Sequence, residues 1–102
     1  MKDKLHAANQ ILLEIATAIL HKCNGNVNKL NFEQIAELGS IYKYFKQNYP
    51  KVPNFKPNSI VENTSTGKRY IVAFCIYTRI ELINANEPNL VDHVYNYKLI
   101  SE

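Results

Sequence analysis

The sequence predicts an α+β domain in which two helices precede an antiparallel sheet of about four strands. In the first half of the chain apolar residues recur at helical spacing, and later they form short runs bounded by turn residues. The length of 102 residues is that of one domain, and 46% hydrophobic residues are an ordinary globular content. We therefore predict a single domain over residues 1–102, with a helical hairpin at 3–49 packed on the sheet, a link at 50–57 and a β-meander at 58–101.

The first helix is predicted from Asp3 to about Lys22, with Gly25 placed to end it in the left-handed conformation. One face repeats at alternating spacings of three and four residues: Leu5, Ala8, Leu12, Ile15, Ile19 and Cys23. Further apolar residues widen this face and leave only a narrow polar stripe. Such a helix needs cover on more than one side, either between the second helix and the sheet or against a second copy of the chain.

The start of the second helix is predicted at Asn31, because its side chain and that of Gln34 can form a capping box. Leu30 and Ile35 would add a hydrophobic staple. The predicted inner face consists of Ile35, Leu38, Tyr42, Phe45 and Tyr49, and Pro50 ends the helix. Gly39 lowers helix propensity by about 1 kcal/mol relative to Ala, so we expect the first helix to approach it closely in compensation.

Four strands are predicted at residues 60–63, 69–77, 80–83 and 90–100. The second is apolar on both faces and is expected to be central. The connection that precedes it contains Gly67, which can adopt a positive φ. The stretch from Lys56 to Asn63, continued by Thr66-Gly67-Lys68, resembles the opening hairpin of small SH3-like barrels. Curling of the sheet into such a barrel is therefore an alternative to an open sheet, and no function is carried over from this resemblance.

The sequence lacks the spacings typical of catalytic and metal sites. It contains no CxxC, HxxxH or HExxH pattern. Cys75 could pair with His93 as a nucleophile, but the apolar strand around this thiol would make it inert. We therefore predict no enzymatic activity, no cofactor and no metal. Two cysteines are too few for a disulfide framework, and the sequence leaves open whether Cys23 and Cys75 are free or form one bridge.

The apolar run at residues 11–20 is about half as long as a bilayer span and contains Glu14. The N-terminal charges and the lack of a small-residue cleavage site also differ from a signal peptide. We expect a cytoplasmic protein with no membrane partner.

The net charge of +3 is unevenly distributed along the chain. Residues 1–42 contain four basic and four acidic residues, residues 43–79 contain seven and one, and residues 80–102 contain one and four. The stretch from Tyr42 to Pro57 combines four lysines and five aromatic rings with no acid. Such a central block can mark a surface that faces a polyanion or an acidic partner.

We interpret this block as a basic and aromatic binding surface, although a solvated helix flank followed by a stiff connector explains it as well. The candidate partner-binding residues are Lys43, Tyr44, Lys46, Lys51, Phe55, Lys56, Lys68, Arg69 and Arg79. Tyr44 and Phe55 are the rings expected to remain available to a partner.

The favoured hypothesis is a small non-enzymatic interaction protein that binds, and inhibits or regulates, a larger macromolecular partner, most simply a protein. The alternative is a nucleic-acid-binding accessory protein whose central basic block contacts phosphates. A homodimer through the first helix or the sheet is compatible with either hypothesis.

Overall fold

The computed structural model describes residues 2–24 and 26–102, so Gly25 and its predicted role at the helix end lie outside the described residues. Two helices precede a five-stranded antiparallel sheet, which confirms the α+β class. The elements are α1 Lys2–Lys22, α2 Phe32–Asn48, β1 Ile60–Asn63, β2 Arg69–Ile76, β3 Arg79–Asn84, β4 Glu87–His93 and β5 Tyr97–Ser101. Contacts divide the chain into two compact units, Met1–Asn48 and Tyr49–Glu102.

In the first unit α1 and α2 contact each other. Among the described residues that follow α1, Asn24 has left-handed backbone, with φ 52°, and its N–H donates to the His21 carbonyl at 3.3 Å. The buried apolar residues of the first unit are Leu13, Ala16, Ile19, Leu20, Cys23, Leu30, Leu38, Ile41 and Phe45. No helix in the described ranges is long and apolar enough to cross a bilayer.

The predicted capping box at the start of α2 is confirmed. The Gln34 N–H donates to Asn31 Oδ1 at 2.8 Å, and the Asn31 N–H donates to Gln34 Oε1 at 3.2 Å. The predicted inner face is only partly right, because the buried positions of α2 are Leu38, Ile41 and Phe45. Ile35 is instead 44% exposed, and α2 ends before Tyr49. Both patterns share Leu38 and Phe45, so helical periodicity alone could not separate them.

Replacing Asn31 by alanine is expected to lower the free energy of unfolding by about 1 kcal/mol, because the Gln34 N–H loses the side-chain oxygen that accepts its hydrogen bond. Urea denaturation followed by far-UV circular dichroism measures this loss. Asn31→Asp is the matched control, since aspartate keeps the accepting oxygen and also favours the positive end of the helix dipole. Equal stability of the alanine variant and the parent would contradict the capping role.

In the second unit the strand order is β4-β3-β2-β1-β5, so β2 is central as predicted. Gly67 in the β1–β2 turn has φ 74°, also as predicted. The predicted strand at 90–100 is wrong: a 3-10 turn, Val94–Asn96, separates β4 from β5, and β5 pairs with β1. Val94 in this turn is completely buried. The turn leads the chain from β4 at one edge of the sheet to β5 at the other, so the predicted meander ends at β4.

The sheet is open, so the SH3-like barrel alternative is wrong. β4 and β5 form its two edges and are not hydrogen-bonded to each other. β4 contains Pro88, whose missing N–H removes a donor and is compatible with an edge strand. The sheet has an apolar face with a buried cluster, and Val52, Phe55 and Leu90 pack against it. The cluster consists of Val61, Tyr70, Val72, Cys75, Ile80, Leu82, Val94 and Tyr97.

Candidate functional site

The outer face of α2 carries a row of exposed residues that we call the α2 stripe: Phe32, Ile35, Gly39, Lys43 and Lys46. At 3.6 residues per turn, all five lie within about 40° of Gly39 around the helix axis. Phe32 is 86% exposed and Ile35 is 44% exposed. The stripe is therefore apolar at the start of α2 and cationic at its end.

Gly39, in the middle of the stripe, lies exposed on the helix surface. A Cβ atom built on it would have no heavy atom within 4 Å, so the predicted close approach of α1 is wrong. A glycine within a helix lowers stability by about 1 kcal/mol relative to alanine, and no contact among the described residues compensates for this. What glycine does provide here is a flat position at which another chain can come close.

The two lysines of the stripe are exposed, and no ion pair among the described residues involves them. The acids of α2 are Glu33 and Glu37, which lie in its first half. No acid stands three or four residues from Lys43 or Lys46 along the helix, so neither has the usual intrahelical partner. Their positive charge is directed at solvent.

The two rings expected to remain available to a partner, Tyr44 and Phe55, each make contacts within the fold. The Tyr44 hydroxyl donates to Asn9 Oδ1 at 2.8 Å, and its ring meets the Phe45 ring edge-on with centroids 5.3 Å apart. Phe55 is half-buried and packs against the sheet cluster. The exposed ring that sequence reasoning missed is Phe32. A signal existed, since Phe32 falls outside the helical repeat formed by the buried residues of α2.

The remaining candidate cations all belong to the second unit. Lys51 and Lys56 lie in the link between α2 and β1 and are exposed. Lys68, Arg69 and Arg79 lie on or beside the sheet and are each paired with a carboxylate. The pairs are Lys68 with Glu87 at 3.9 Å, Arg69 with Glu62 at 3.4 Å, and Arg79 with Glu81 at 3.1 Å. The structure therefore brings the sheet cations together with acids rather than with one another.

Glu62 also binds Lys98, with Nζ and Oε2 3.3 Å apart. The hydrogen bond from Lys98 is the main cause that lowers the pKa of Glu62; partial burial opposes it, and the hydrogen bond from Arg69 adds to it. Exposed pairs of this kind contribute little to stability, but they reduce the positive charge presented by the sheet. On the sheet, the positive charge of the basic segment is therefore largely offset by neighbouring carboxylates.

The hypothetical Cys75 and His93 pair is not assembled. β3 lies between their strands, and the register aligns Cys75 with Ile80 and Ile80 with Asp92, so His93 points to the other face. Burial raises the pKa of the Cys75 thiol, which disfavours the reactive thiolate. Cys23 and Cys75 are buried and not joined by a disulfide. Within residues 2–24 and 26–102, no group of three or more His, Cys, Asp or Glu residues could hold a metal ion.

A network of tyrosines and carboxylates lies at the rim of the apolar sheet face. The Tyr97 hydroxyl donates to Asp92 Oδ2 at 2.7 Å, and the Tyr70 hydroxyl donates to Glu87 Oε2 at 3.0 Å. Burial and the neighbouring Asp92 carboxylate raise the pKa of Tyr97 to about 12. The two tyrosine rings pack edge-on with centroids 5.9 Å apart. These polar groups satisfy one another, which gives the network a structural role.

The α2 stripe is therefore an exposed surface whose composition the fold of one chain does not explain. Chemically it can insert an aromatic and an aliphatic side chain into an apolar pocket and place two ammonium groups beside acids. Comparison with known proteins gives no relative to interpret it by: no family model, no curated protein and no solved structure matches this chain.

Proposed function

We propose that this protein is a non-enzymatic interaction protein that docks on a larger protein through the α2 stripe and so regulates or inhibits it. The observation that carries the proposal is the 86% exposure of Phe32 on the same helix face as an uncompensated glycine and two unpaired lysines. A large apolar ring in water contributes nothing to the fold, whereas aromatic anchors dominate the energetics of protein interfaces.

The stripe favours a particular chemistry in the partner. Phe32 and Ile35 fit an apolar pocket or groove, and the lysines two to four turns further on favour acidic residues beside that pocket. Gly39 between them permits close approach of the partner's backbone. A protein surface with an apolar depression and an acidic rim meets all three conditions.

Nucleic-acid binding remains the second candidate, carried by the four exposed cations Lys43, Lys46, Lys51 and Lys56. The fold weakens it, because three of the seven cations proposed to contact phosphates are paired with carboxylates. If the four remaining lysines each neutralised one phosphate of duplex DNA, a plot of log affinity against log salt concentration would have a slope of about −3.6.

Affinity capture from a native lysate tests the proposal, with nuclease-treated and high-salt samples in parallel. We expect Phe32→Ala to reduce recovery of the main partner at least tenfold, because truncation of a central aromatic anchor typically costs about 2 kcal/mol or more of binding energy. Lys43→Glu combined with Lys46→Glu should have a similar effect by repelling an acidic rim. Both variants should keep the thermal midpoint of the parent, since these side chains are exposed.

Tyr95→Ala is the matched control, because Tyr95 is a 56% exposed ring in the other compact unit. It should leave capture unchanged. Recovery of the same partner by all variants would refute docking through the α2 stripe. Loss of every partner on nuclease treatment, with the salt dependence given above, would instead support the nucleic-acid alternative.

A further inference from the structure

We infer that the α2 stripe also pairs with itself, so that two copies of the chain associate through antiparallel α2 helices that cross at Gly39. The pairing covers the surface proposed above for partner docking. Only its regulatory consequence rests on that proposed function, since self-association is a property of the purified protein alone.

The positions of the stripe are symmetric about Gly39. Ile35 and Lys43 each lie four residues from the glycine, and Phe32 and Lys46 each lie seven residues from it. With a rise of 1.5 Å per residue, these distances along the axis are about 6 Å and about 10.5 Å. A two-fold axis through Gly39 therefore brings Phe32 level with Lys46 of the second copy, and Ile35 level with Lys43.

The chemistry of these opposing side chains is complementary. The face of an aromatic ring attracts an ammonium group, which suits Phe32 against Lys46. The aliphatic part of a lysine side chain can cover an isoleucine while its charge remains in water, which suits Ile35 against Lys43. Each apolar residue of one helix is thus covered by a lysine of the other.

Charge selects the antiparallel orientation. The first turn of α2 contains Glu33 and its last turn contains Lys46. An antiparallel pair keeps Lys43 and Lys46 of one helix apart from the same lysines of the other, whereas Glu33 lies about 120° from Gly39 around the helix and outside the contact. A parallel pair would place Lys43 and Lys46 against their own counterparts and would be repelled.

Gly39 fits the crossing point of such a pair. Gly39 has no Cβ, and no heavy atom lies within 4 Å of the position that a Cβ would occupy. The glycines of two copies can therefore face each other at a short interaxial distance. This accounts for a glycine that the fold of one chain does not require. The exposed isoleucines of α1, Ile11 and Ile15, offer no similar match, because reversing the helix about the midpoint between them sets Lys4 against Lys22.

A single pair of crossed helices buries less than the roughly 1,200–2,000 Å² typical of stable interfaces, so the dimer is expected to be weak, with a dissociation constant in the micromolar range or higher. Weak pairing through the docking surface makes partner binding and self-association mutually exclusive. The dimer would then act as a reserve form that a tighter-binding partner dissociates.

Disulfide trapping tests the two-fold axis. Gly39→Cys should form a covalent dimer under mild oxidation, because the two introduced thiols face each other at the crossing. Glu37→Cys is the matched control: this exposed position lies on the same helix about 160° from Gly39 and should cross-link at least tenfold more slowly. The parent protein should not cross-link, since both native cysteines are buried.

A mixing experiment tests the antiparallel orientation. Phe32→Cys and Lys46→Cys proteins should cross-link to each other when mixed, and neither should cross-link to itself when oxidised alone. Self-linking of Phe32→Cys would show a parallel pair and overturn the proposed geometry.

Sedimentation equilibrium of the parent provides the independent readout. The average mass should rise from 11.8 kDa toward twice that value with concentration, and Phe32→Ala should shift the midpoint at least tenfold higher. A parent that stays monomeric at millimolar concentration would overturn self-association. If that monomer still captured a partner through Phe32, the proposed function would stand without it.

Discussion

Replacing Ile80 by alanine is expected to lower the free energy of unfolding by about 3 kcal/mol. Ile80 has no exposed surface and belongs to the buried cluster of the sheet. It lies on β3, where the register sets it opposite Cys75 of β2 and Asp92 of β4. Alanine would remove three carbon atoms from a site enclosed by neighbouring strands, and the cavity could collapse only in part.

Ile83→Ala is the matched control, because Ile83 lies on the same strand but is 44% exposed. The Ile83→Ala substitution should lower the free energy of unfolding by less than about 1 kcal/mol. Urea denaturation measures the free energy of unfolding of both variants. Hydrogen exchange of the β2 and β3 amides reports on the sheet unit directly. Similar losses for the two isoleucine variants would contradict the assignment of Ile80 to the core.

The elements that could be predicted from the sequence are those fixed by local patterns. The capping box at Asn31, the end of α2 before Pro50 and the positive φ of Gly67 each depend on residues close together in the chain. β1 was predicted with its observed bounds for the same reason, since turn residues flank it. Local chemistry is sufficient in these places because few distant residues compete with it.

The path of the last strands could not be predicted in this way. Residues 90–100 are rich in valine, isoleucine and tyrosine and contain no Gly or Pro, as is typical of one strand, and only the structure shows Val94 buried in the cluster and β5 paired with β1. The burial of Val94 in the cluster and the pairing of β5 with β1 depend on contacts with residues far away in the sequence. Periodicity carries no information about such contacts.

The sequence predicted the exposure of only part of the proposed surface. Lys43 and Lys46 are exposed as expected, but the hydrogen bond between Tyr44 and Asn9 joins residues 35 positions apart, which no local pattern reveals. The pairing of the sheet cations with Glu62, Glu81 and Glu87 depends in the same way on tertiary neighbours. The net charge of residues 43–79 therefore overestimated the number of unpaired cations on the surface. The apolar half of the α2 stripe was not identified from the sequence.

Replacing Asp92 by alanine is expected to lower the free energy of unfolding by about 2 kcal/mol at neutral pH. Its carboxylate accepts hydrogen bonds from the Tyr97 hydroxyl at 2.7 Å, from the His93 N–H at 2.7 Å and from Asn96 Nδ2 at 3.0 Å. The Tyr97 ring is 5% exposed, so much of the loss comes from a hydroxyl left without its charged acceptor.

The same carboxylate should make stability depend on acid pH. Burial by itself raises the pKa of Asp92, but the three hydrogen bonds outweigh it, so the pKa in the folded protein lies below its usual value. A depressed folded pKa means that the contribution is complete above the unfolded pKa of about 3.9 and is lost as pH falls through the folded value. Urea midpoints of the parent and Asp92→Ala should therefore differ most at neutral pH and converge as the pH falls through the lowered pKa of Asp92.

Tyr97→Phe separates the hydrogen bond from the packing, because it keeps the buried ring and removes only the hydroxyl. Tyr97→Phe should lower the free energy of unfolding by about 1 kcal/mol at neutral pH. It should also bring the pKa of Asp92 closer to its usual value, because one of the hydrogen bonds to the ionised carboxylate is lost. A loss in Asp92→Ala that stayed constant from pH 7 to pH 2.5 would show that the side chain acts through packing alone. Convergence at acid pH, together with a higher Asp92 pKa in Tyr97→Phe by NMR titration, would assign the stabilisation to the ionised carboxylate.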